Sequence, residues 1–361
     1  MFVAWRDLRF AKGRFTLMGA VIVLITLLVG LLSGLTAGLA RENISAITGL
    51  PADRLAFAAP PSGRSVSFTN STVTEGQWRR WAERPGVASA QPLAIRTLNG
   101  AAGDRTVAVS VFGTEPSAAL APESRKLGPG RVVLSESAAE ELGVGVGGAV
   151  RLGPLEAHVA AVAGDASYSH TPVVWTSLDD WQKLGHNGTT PEEQATVIAL
   201  RVTDGADLAA ADAALETESR TIDEALTAIG SYQAENGSLQ LMRGFLFAIS
   251  ALVIGAFFTV WTIQRSGDVA VLKALGASTP YLLKDALGQA VLMLGAGTLF
   301  GTALAVGAGV LISGGNVPFV LEPLTVLGPA AVMIVLGVLG AALSIRRITA
   351  VDPLTALGSA R

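Results

Sequence analysis

Four long runs of this chain carry no charge: residues 15–40, 244–264, 286–321 and 323–345. About 20 helical residues cross a bilayer core about 30 Å thick. Each run is therefore long enough to span a membrane. The third has length to spare, for one span plus a loop around Ser313-Gly314-Gly315-Asn316. Backbone polar groups in hydrocarbon must be satisfied within their own segment, so each span is expected to be helical. Gly38-Leu39-Ala40 has the small residues of a signal-peptide cleavage site. A signal h-region is only about 7–15 residues, however, and the length of the first run points to a retained anchor.

Charge orients the spans. Residues 41–242 hold 15 Lys and Arg against 24 Asp and Glu, and the rest of the chain holds 11 against 5, closing to the net charge of -3. Basic flanks mark the cytoplasmic side. Arg6, Arg9, Lys12 and Arg14 precede the first span, Arg265, Lys273 and Lys284 lie between the second and third, and Arg346 and Arg347 follow the fourth. The loop between the third and fourth has only Glu322. The expected layout is a cytoplasmic flank 1–14, spans 15–40, 243–264, 286–312 and 326–345, an extracytoplasmic domain 41–242, a cytoplasmic segment 265–285, an outer loop 313–325 and a cytoplasmic tail 346–361.

The outer domain reads as α+β. Alternation and β-branching predict strands at 87–98, 106–112, 149–152, 157–162, 172–175 and 196–202. Helices are expected at 74–81, 135–142, 177–184 and 207–219, the last continuing helically through 226 and then 232–240 toward the second span. Ser135 and Ser177 are placed as helix N-caps.

Several chemistries are missing. The chain has no cysteine, no G-x-x-x-x-G-K-[ST] phosphate loop, no H-E-x-x-H and no G-x-S-x-G. Its three histidines, His158, His170 and His186, are not at metal-ligand spacing. The spans carry almost no ionisable residue, which an ion-coupled carrier would need. The energy for any transport is expected from a partner.

The segment Gln264-Arg265-Ser266-Gly267-Asp268-Val269-Ala270-Val271-Leu272-Lys273-Ala274-Leu275-Gly276-Ala277-Ser278 resembles the FtsX-like permease domain of MacB-type ATP-binding-cassette transporters. The tail Asp352-Pro353-Leu354-Thr355-Ala356-Leu357 is similar to the same family's C-terminal signature, and Val132-Val133-Leu134-Ser135-Glu136 and 142–147 to its periplasmic core, with Gly148 where an Asp is common. The resemblance implies a type VII ABC exporter-like fold, with four transmembrane helices in a one-plus-three layout and the large α+β domain between the first and second. It further implies a homodimer in the bacterial plasma membrane, two copies of a cytoplasmic ABC ATPase binding ATP and Mg, no intrinsic cofactor and no nucleic-acid partner. Arg265, Asp268, Val269, Leu272, Lys273, Leu275 and Gly276 become the expected ATPase-coupling residues, on an amphipathic helix with an apolar face. The plain alternative is a hairpin connector lying on lipid.

Residues 168–175 and 178–182 look like the haem-exporting HrtB branch of that family and its glycolipid-exporting DevC-like relatives. Haem is thus the expected substrate. The alternatives are a glycolipid, lipid or amphipathic toxin, or a mechanotransmitter that regulates a cell-wall hydrolase. Gly30, Gly34 and Gly38 form a stripe that lets helices approach closely, or offers a smooth wall to a planar ring. Arg243 lies at the outer end of the second span, snorkelling to headgroups or awaiting a carboxylate. With Met242 and Glu42 it marks an expected site at the outer mouth. Met242, Tyr168, Tyr232 and His170 are the candidate ligands for haem iron.

Overall fold

The computed structural model describes residues 12–185, 192–264, 266–312 and 317–349. Contacts divide the chain into two units, Met1–Gly38 with Ser238–Arg361, and Leu39–Gly237. In chain order the elements are α1 (Lys12–Thr48), β1 (Arg54–Ala58), β2 (Val73–Thr74), α2 (Glu75–Ala82), β3 (Val87–Ala102), β4 (Arg105–Thr114), β5 (Arg131–Leu134), α3 (Glu136–Leu142), β6 (Ala149–Leu152), β7 (Leu155–Val162), β8 (Ser167–Tyr168) and β9 (Thr171–Ser177). There follow α4 (Leu178–Gln182), β10 (Gln194–Ala195), β11 (Val197–Val202), α5 (Leu208–Leu215), β12 (Thr217–Thr221), α6 (Ile222–Ala225), α7 (Gly230–Gln264), α8 (Ser266–Ala274), α9 (Thr279–Ile312) and α10 (Pro323–Thr349).

Four helices are long and apolar enough to cross a membrane: Thr16–Thr48, Gly230–Gln264, Thr279–Ile312 and Pro323–Leu343. Three begin or end well beyond the charge-free runs. α1 continues to Thr48 through Arg41 and Glu42, α7 starts at Gly230, and α9 starts at Thr279. Helix geometry does not stop where hydrocarbon stops, because polar helix turns are equally well bonded in water.

The outer unit is a mixed sheet in the order β12-β1-β11-β3-β4-β9-β5-β7-β6, and the end of β3 also pairs with β6. That extra pairing closes β3, β4, β9, β5, β7 and β6 into a ring. Strand periodicity sends alternate residues to opposite faces. Leu55 and Phe57 join one core and Ala56 the other; Phe112 joins the first and Val109 and Val111 the second. Helices α2, α3, α4 and α5 contribute Trp78, Trp81, Ala138, Leu142, Leu178, Trp181, Ala211 and Leu215 to one core. The other receives Ala46 and Ile47 from the end of α1. Ser135 and Ser177 cap α3 and α4, each hydroxyl accepting a backbone N–H at 3.2 Å, from Ala138 and Asp180 respectively.

One expectation fails here. Residues 207–226 are not one helix. α5 stops at Leu215, Glu216 takes a left-handed φ of 53°, and 217–221 pairs antiparallel with β1. β12 has the sequence Thr-Glu-Ser-Arg-Thr, polar throughout, because it is an edge strand with little to bury.

The membrane unit has its own apolar core, with Met18, Ile22, Val29, Ile254, Phe258, Leu294 and Met333 buried. Its closest packing comes from small residues. A Cβ on Gly297 would lie 2.7 Å from the Ile22 side chain, and one on Gly301 would lie 2.7 Å from both Thr26 and the Val23 carbonyl oxygen. With Ala305, which a Cβ on Gly30 would meet at 2.7 Å, these residues form a stripe at every fourth position of α9 laid against α1, and Gly309 continues it beneath Phe319 and Leu321.

Candidate functional site

Three places in the chain hold the residues expected to function, and each is built within one unit. The first is α8. It ends in a Schellman motif: the Ala277 N–H donates to the Leu272 carbonyl at 2.9 Å, the Gly276 N–H donates to the Lys273 carbonyl at 3.0 Å, and Gly276 has φ 95°. The Leu-Lys-Ala-Leu-Gly sequence is therefore a helix with its stop built in, and only glycine takes that backbone without strain. Leu275 is 80% exposed and Val271 is 55% exposed, one turn apart, whereas Leu272 and Lys273 are half-buried. The exposed apolar pair is thus Val271 and Leu275 rather than Leu272. Arg265 and the side chains of Asp268 and Val269 lie outside the described residues, as do residues 1–11, 186–191, 313–316 and 350–361.

The second place is the outer end of the membrane helices. Gly34 and Gly38 do not present an open wall. A Cβ on Gly34 would strike the Phe319 ring, and one on Gly38 the Pro318 carbonyl. The Val320 N–H donates to the Gly34 carbonyl at 3.1 Å, so the chain's own 317–321 segment covers the stripe. Beneath it lies a cavity of about 10 Å³ bordered by Thr26, Gly30 and Thr302. Thr26 Oγ1 is buried without a hydrogen-bond partner among the described residues. Farther along, α7 carries Met242, 50% exposed, and Arg243, half-buried and without an ion-pair partner among the described residues. Leu241, Phe245 and Ile249 are exposed on the same helix.

The third place is in the outer unit, and it gathers residues far apart in sequence. His170 Nε2 lies 2.9 Å from Glu235 Oε2, and His170 Nδ1 lies 3.6 Å from Glu42 Oε2. Asn43 Nδ2 is 3.1 Å from His170 Nε2 and donates to Glu235 at 3.3 Å. Ser231 donates to Asn43 Oδ1 at 2.7 Å. The backbone of the β8–β9 turn joins in: Ser169 N–H and His170 N–H donate to the Asn43 and Glu42 carbonyls at 3.0 and 3.2 Å. Ser169 and His170 both hold left-handed φ values, 52° and 61°, which cost free energy for residues with a Cβ. The cluster fastens the end of α1 and the start of α7 to one sheet hairpin.

This geometry gives the surroundings of four of the expected residues. Glu42 belongs to the His170 cluster. His170 Nε2 is hydrogen-bonded to Glu235 while Nδ1 only faces Glu42, at 3.6 Å, and the described residues hold no group of three His, Asp or Glu suited to a metal. Tyr168 is a core aromatic, 7% exposed, edge-on to Phe68 at 5.7 Å and to Phe112 at 5.6 Å. Burial pushes its phenol well above the ordinary value, which works against a phenolate ligand. Tyr232 is half-buried against the same core. Sequence reasoning singled out His170 but missed Asn43, Ser231 and Glu235, since nothing local marks residues that meet only through the fold.

A sheet domain of this kind between the first and second of four apolar helices, with a stopped helix after the second, defines a class. Residues 16–218 match the MacB-like periplasmic core domain, and residues 241–353 match the FtsX-like permease C-terminal domain. The chain belongs to this family. It is a multi-pass bacterial membrane protein and the permease component of an ABC transporter, with the sheet domain extracellular. Among individual relatives, the putative hemin transport system permease protein HrtB of Staphylococcus haemolyticus is 27% identical, covering 99% of each chain. An uncharacterized ABC transporter permease of Mycobacterium bovis is 24% identical, again over 99% of each. The solved periplasmic region of MacB from Actinobacillus actinomycetemcomitans covers 51% of this chain and 94% of its own, at 14% identity and a TM-score of 0.36.

Proposed function

We propose that the chain is one subunit of a homodimeric exporter that moves haem out of the bacterial membrane. Two copies of a separate cytoplasmic ATPase bind ATP and Mg and drive it. Both termini and α8 face the cytoplasm in this reading, in keeping with the basic flanks. The observation that carries it is likeness over the full length to relatives named as hemin transport permeases.

The residues supply a physical route. Val271 and Leu275 form an apolar step on α8 that suits a groove on the ATPase. α8 ends abruptly at Gly276, and α9 starts at Thr279, so a push on α8 passes through a short connection into α9. α9 meets α1 through glycines at backbone contact distance, where packed surfaces shift as rigid bodies. Replacing Leu275 with Asp places a charge on the docking step. Co-purification of the ATPase is expected to fall while insertion persists, and unchanged co-purification would leave α8 as a lipid-surface helix.

At the other end of the membrane unit, Arg243 offers a haem propionate a charge-assisted and bidentate partner, and Met242 offers a thioether to iron. A hydrogen bond to a charged group contributes roughly 1.5–3 kcal/mol, so Arg243→Ala is expected to weaken haem binding about tenfold or more. Met242→Ala is expected to alter the haem absorbance spectrum. Haem titration of the purified protein decides it. Normal binding by Arg243→Ala moves the site elsewhere. No haem binding by the wild type removes haem in favour of a lipid, glycolipid or toxin.

A further inference from the structure

An open cavity lies in the outer unit, and none of the residues bordering it belongs to the His170 cluster. It is a cleft of about 470 Å³ bordered by Arg41, Ser45, Leu50, Leu120, Asp165 and Trp175, with small and proline residues between them. This is within the size range that encloses drug-sized ligands. Arg41 and Ser45 enter it from one face of α1, four residues apart, and Gly49 follows just past the helix end, so the cleft runs along the last turns of that helix. Arg41 is also the first charge after the run 15–40.

Its chemistry is uneven in an informative way. Leu50 and Leu120 are buried and give it an apolar floor. Trp175, 2% exposed, forms part of the wall, and its indole Nε1 has no hydrogen-bond partner. A buried N–H without an acceptor is costly and uncommon. The Arg41 guanidinium is exposed and has no acceptor among the described residues. Asp165 is occupied by the Ser137 hydroxyl and does not pair with Arg41. The cleft thus offers a free cation, a separate anion and an apolar surface between. No His, Cys, Met or Tyr borders it. Its lining offers shape and charge as the means of recognition.

We propose that this cleft is an outward receiving site for the exported molecule, and that it takes an amphipathic carboxylate of porphyrin size. The proposal rests on the haem-export reading. A porphyrin of the haem type carries both propionates on one edge. Arg41 draws that edge, Asp165 repels it, and the ring lies on the accessible Pro51, Ala119 and Pro122 above the Leu50 and Leu120 floor.

Iron-free protoporphyrin separates this site from one that depends on an iron ligand. The full-length protein in lipid nanodiscs is titrated with protoporphyrin and, in parallel, with haem. Saturable protoporphyrin binding is expected, weakened about tenfold in Arg41→Ala and further in Arg41→Glu, partly restored in Arg41→Lys, and strengthened in Asp165→Asn. The proposal is overturned, with haem export still standing, if haem binds and protoporphyrin does not. It is also overturned if protoporphyrin binds equally to wild type, Arg41→Ala and Arg41→Glu. If neither ligand binds the wild type, the haem-export reading falls and this proposal with it.

Discussion

The two units of this protein solve the same packing problem with opposite materials. In the outer unit the structure is held by large side chains that disappear from solvent: Trp81, Phe57 and Phe112 are each 0% exposed. In the membrane unit large side chains are routinely on the outside, with Leu252 at 74%, Leu299 at 75% and Leu311 at 84% exposed. Water makes exposed leucine unfavourable, so the outer unit is organised by what it hides. Lipid tails are as apolar as leucine, so hiding leucine gains little there, and helix pairs are chosen by how closely backbones approach. Gly297, Gly301 and Gly337, where a Cβ would meet a neighbour at 2.7 Å or less, do in one unit what phenylalanine does in the other.

That contrast predicts that large-to-small changes damage the outer unit and small-to-large changes damage the membrane unit. The largest effect is expected from Phe112→Ala. Phe112 lies between Tyr168 and Trp175, at ring distances of 5.6 and 5.0 Å, and cannot be removed without leaving a void. Such truncations cost about 3–5 kcal/mol. Urea unfolding followed by proteolysis within 39–237 should show the loss, with membrane insertion retained. A loss below about 1 kcal/mol would mean that this core tolerates voids and is not organised by volume.

Gly301→Val comes next. Its Cβ would meet the Val23 carbonyl oxygen, which is backbone and has no rotamer to move to. Overpacking of this kind costs about 1–3 kcal/mol. A thermal melt in detergent should register it as a lowered midpoint. An unchanged midpoint would show that α1 and α9 do not depend on the close approach.

The same contrast explains what was legible in the sequence. The four spans were plain because twenty uncharged residues have few other uses, and the long strands β3, β4 and β7 because their alternation is strong. The edge strand β12 was hidden, since a polar edge strand has no hydrophobic period to betray it. The stop at Gly276 was missed, because the glycine was counted as part of the amphipathic helix that it ends. The candidate site was legible only in part. Arg243 and Met242 stood out by being polar or sulfur-bearing at a span's end. The His170 cluster could not be assembled, because Asn43 and His170 are 127 residues apart and only the β8–β9 turn brings them together. The facing stripe on α9 was there to be counted, but a glycine every fourth residue in a chain with 41 glycines is a weak signal until a partner helix is seen.

The smallest effect is the sharpest test of the comparison, because its sign should reverse. Gly295 sits on α9 two residues before Gly297, and a Cβ built on it meets nothing within 4 Å. It has the same residue type, the same helix and nearly the same depth as the glycines that pack on α1, but no neighbour to collide with. If close approach is what matters, Gly295→Ala has nothing to disrupt, and it removes the conformational freedom that makes mid-helix glycine about 0.5–1 kcal/mol worse than alanine. The melting midpoint is therefore expected to stay level or rise slightly, where Gly301→Val lowers it. Lipid at this position would not object to one methyl group. A second copy of the chain would, if it packed there as tightly as α1 packs on Gly301. A lowered midpoint for Gly295→Ala, together with loss of dimer on a sizing column, would place the subunit interface on this face of α9.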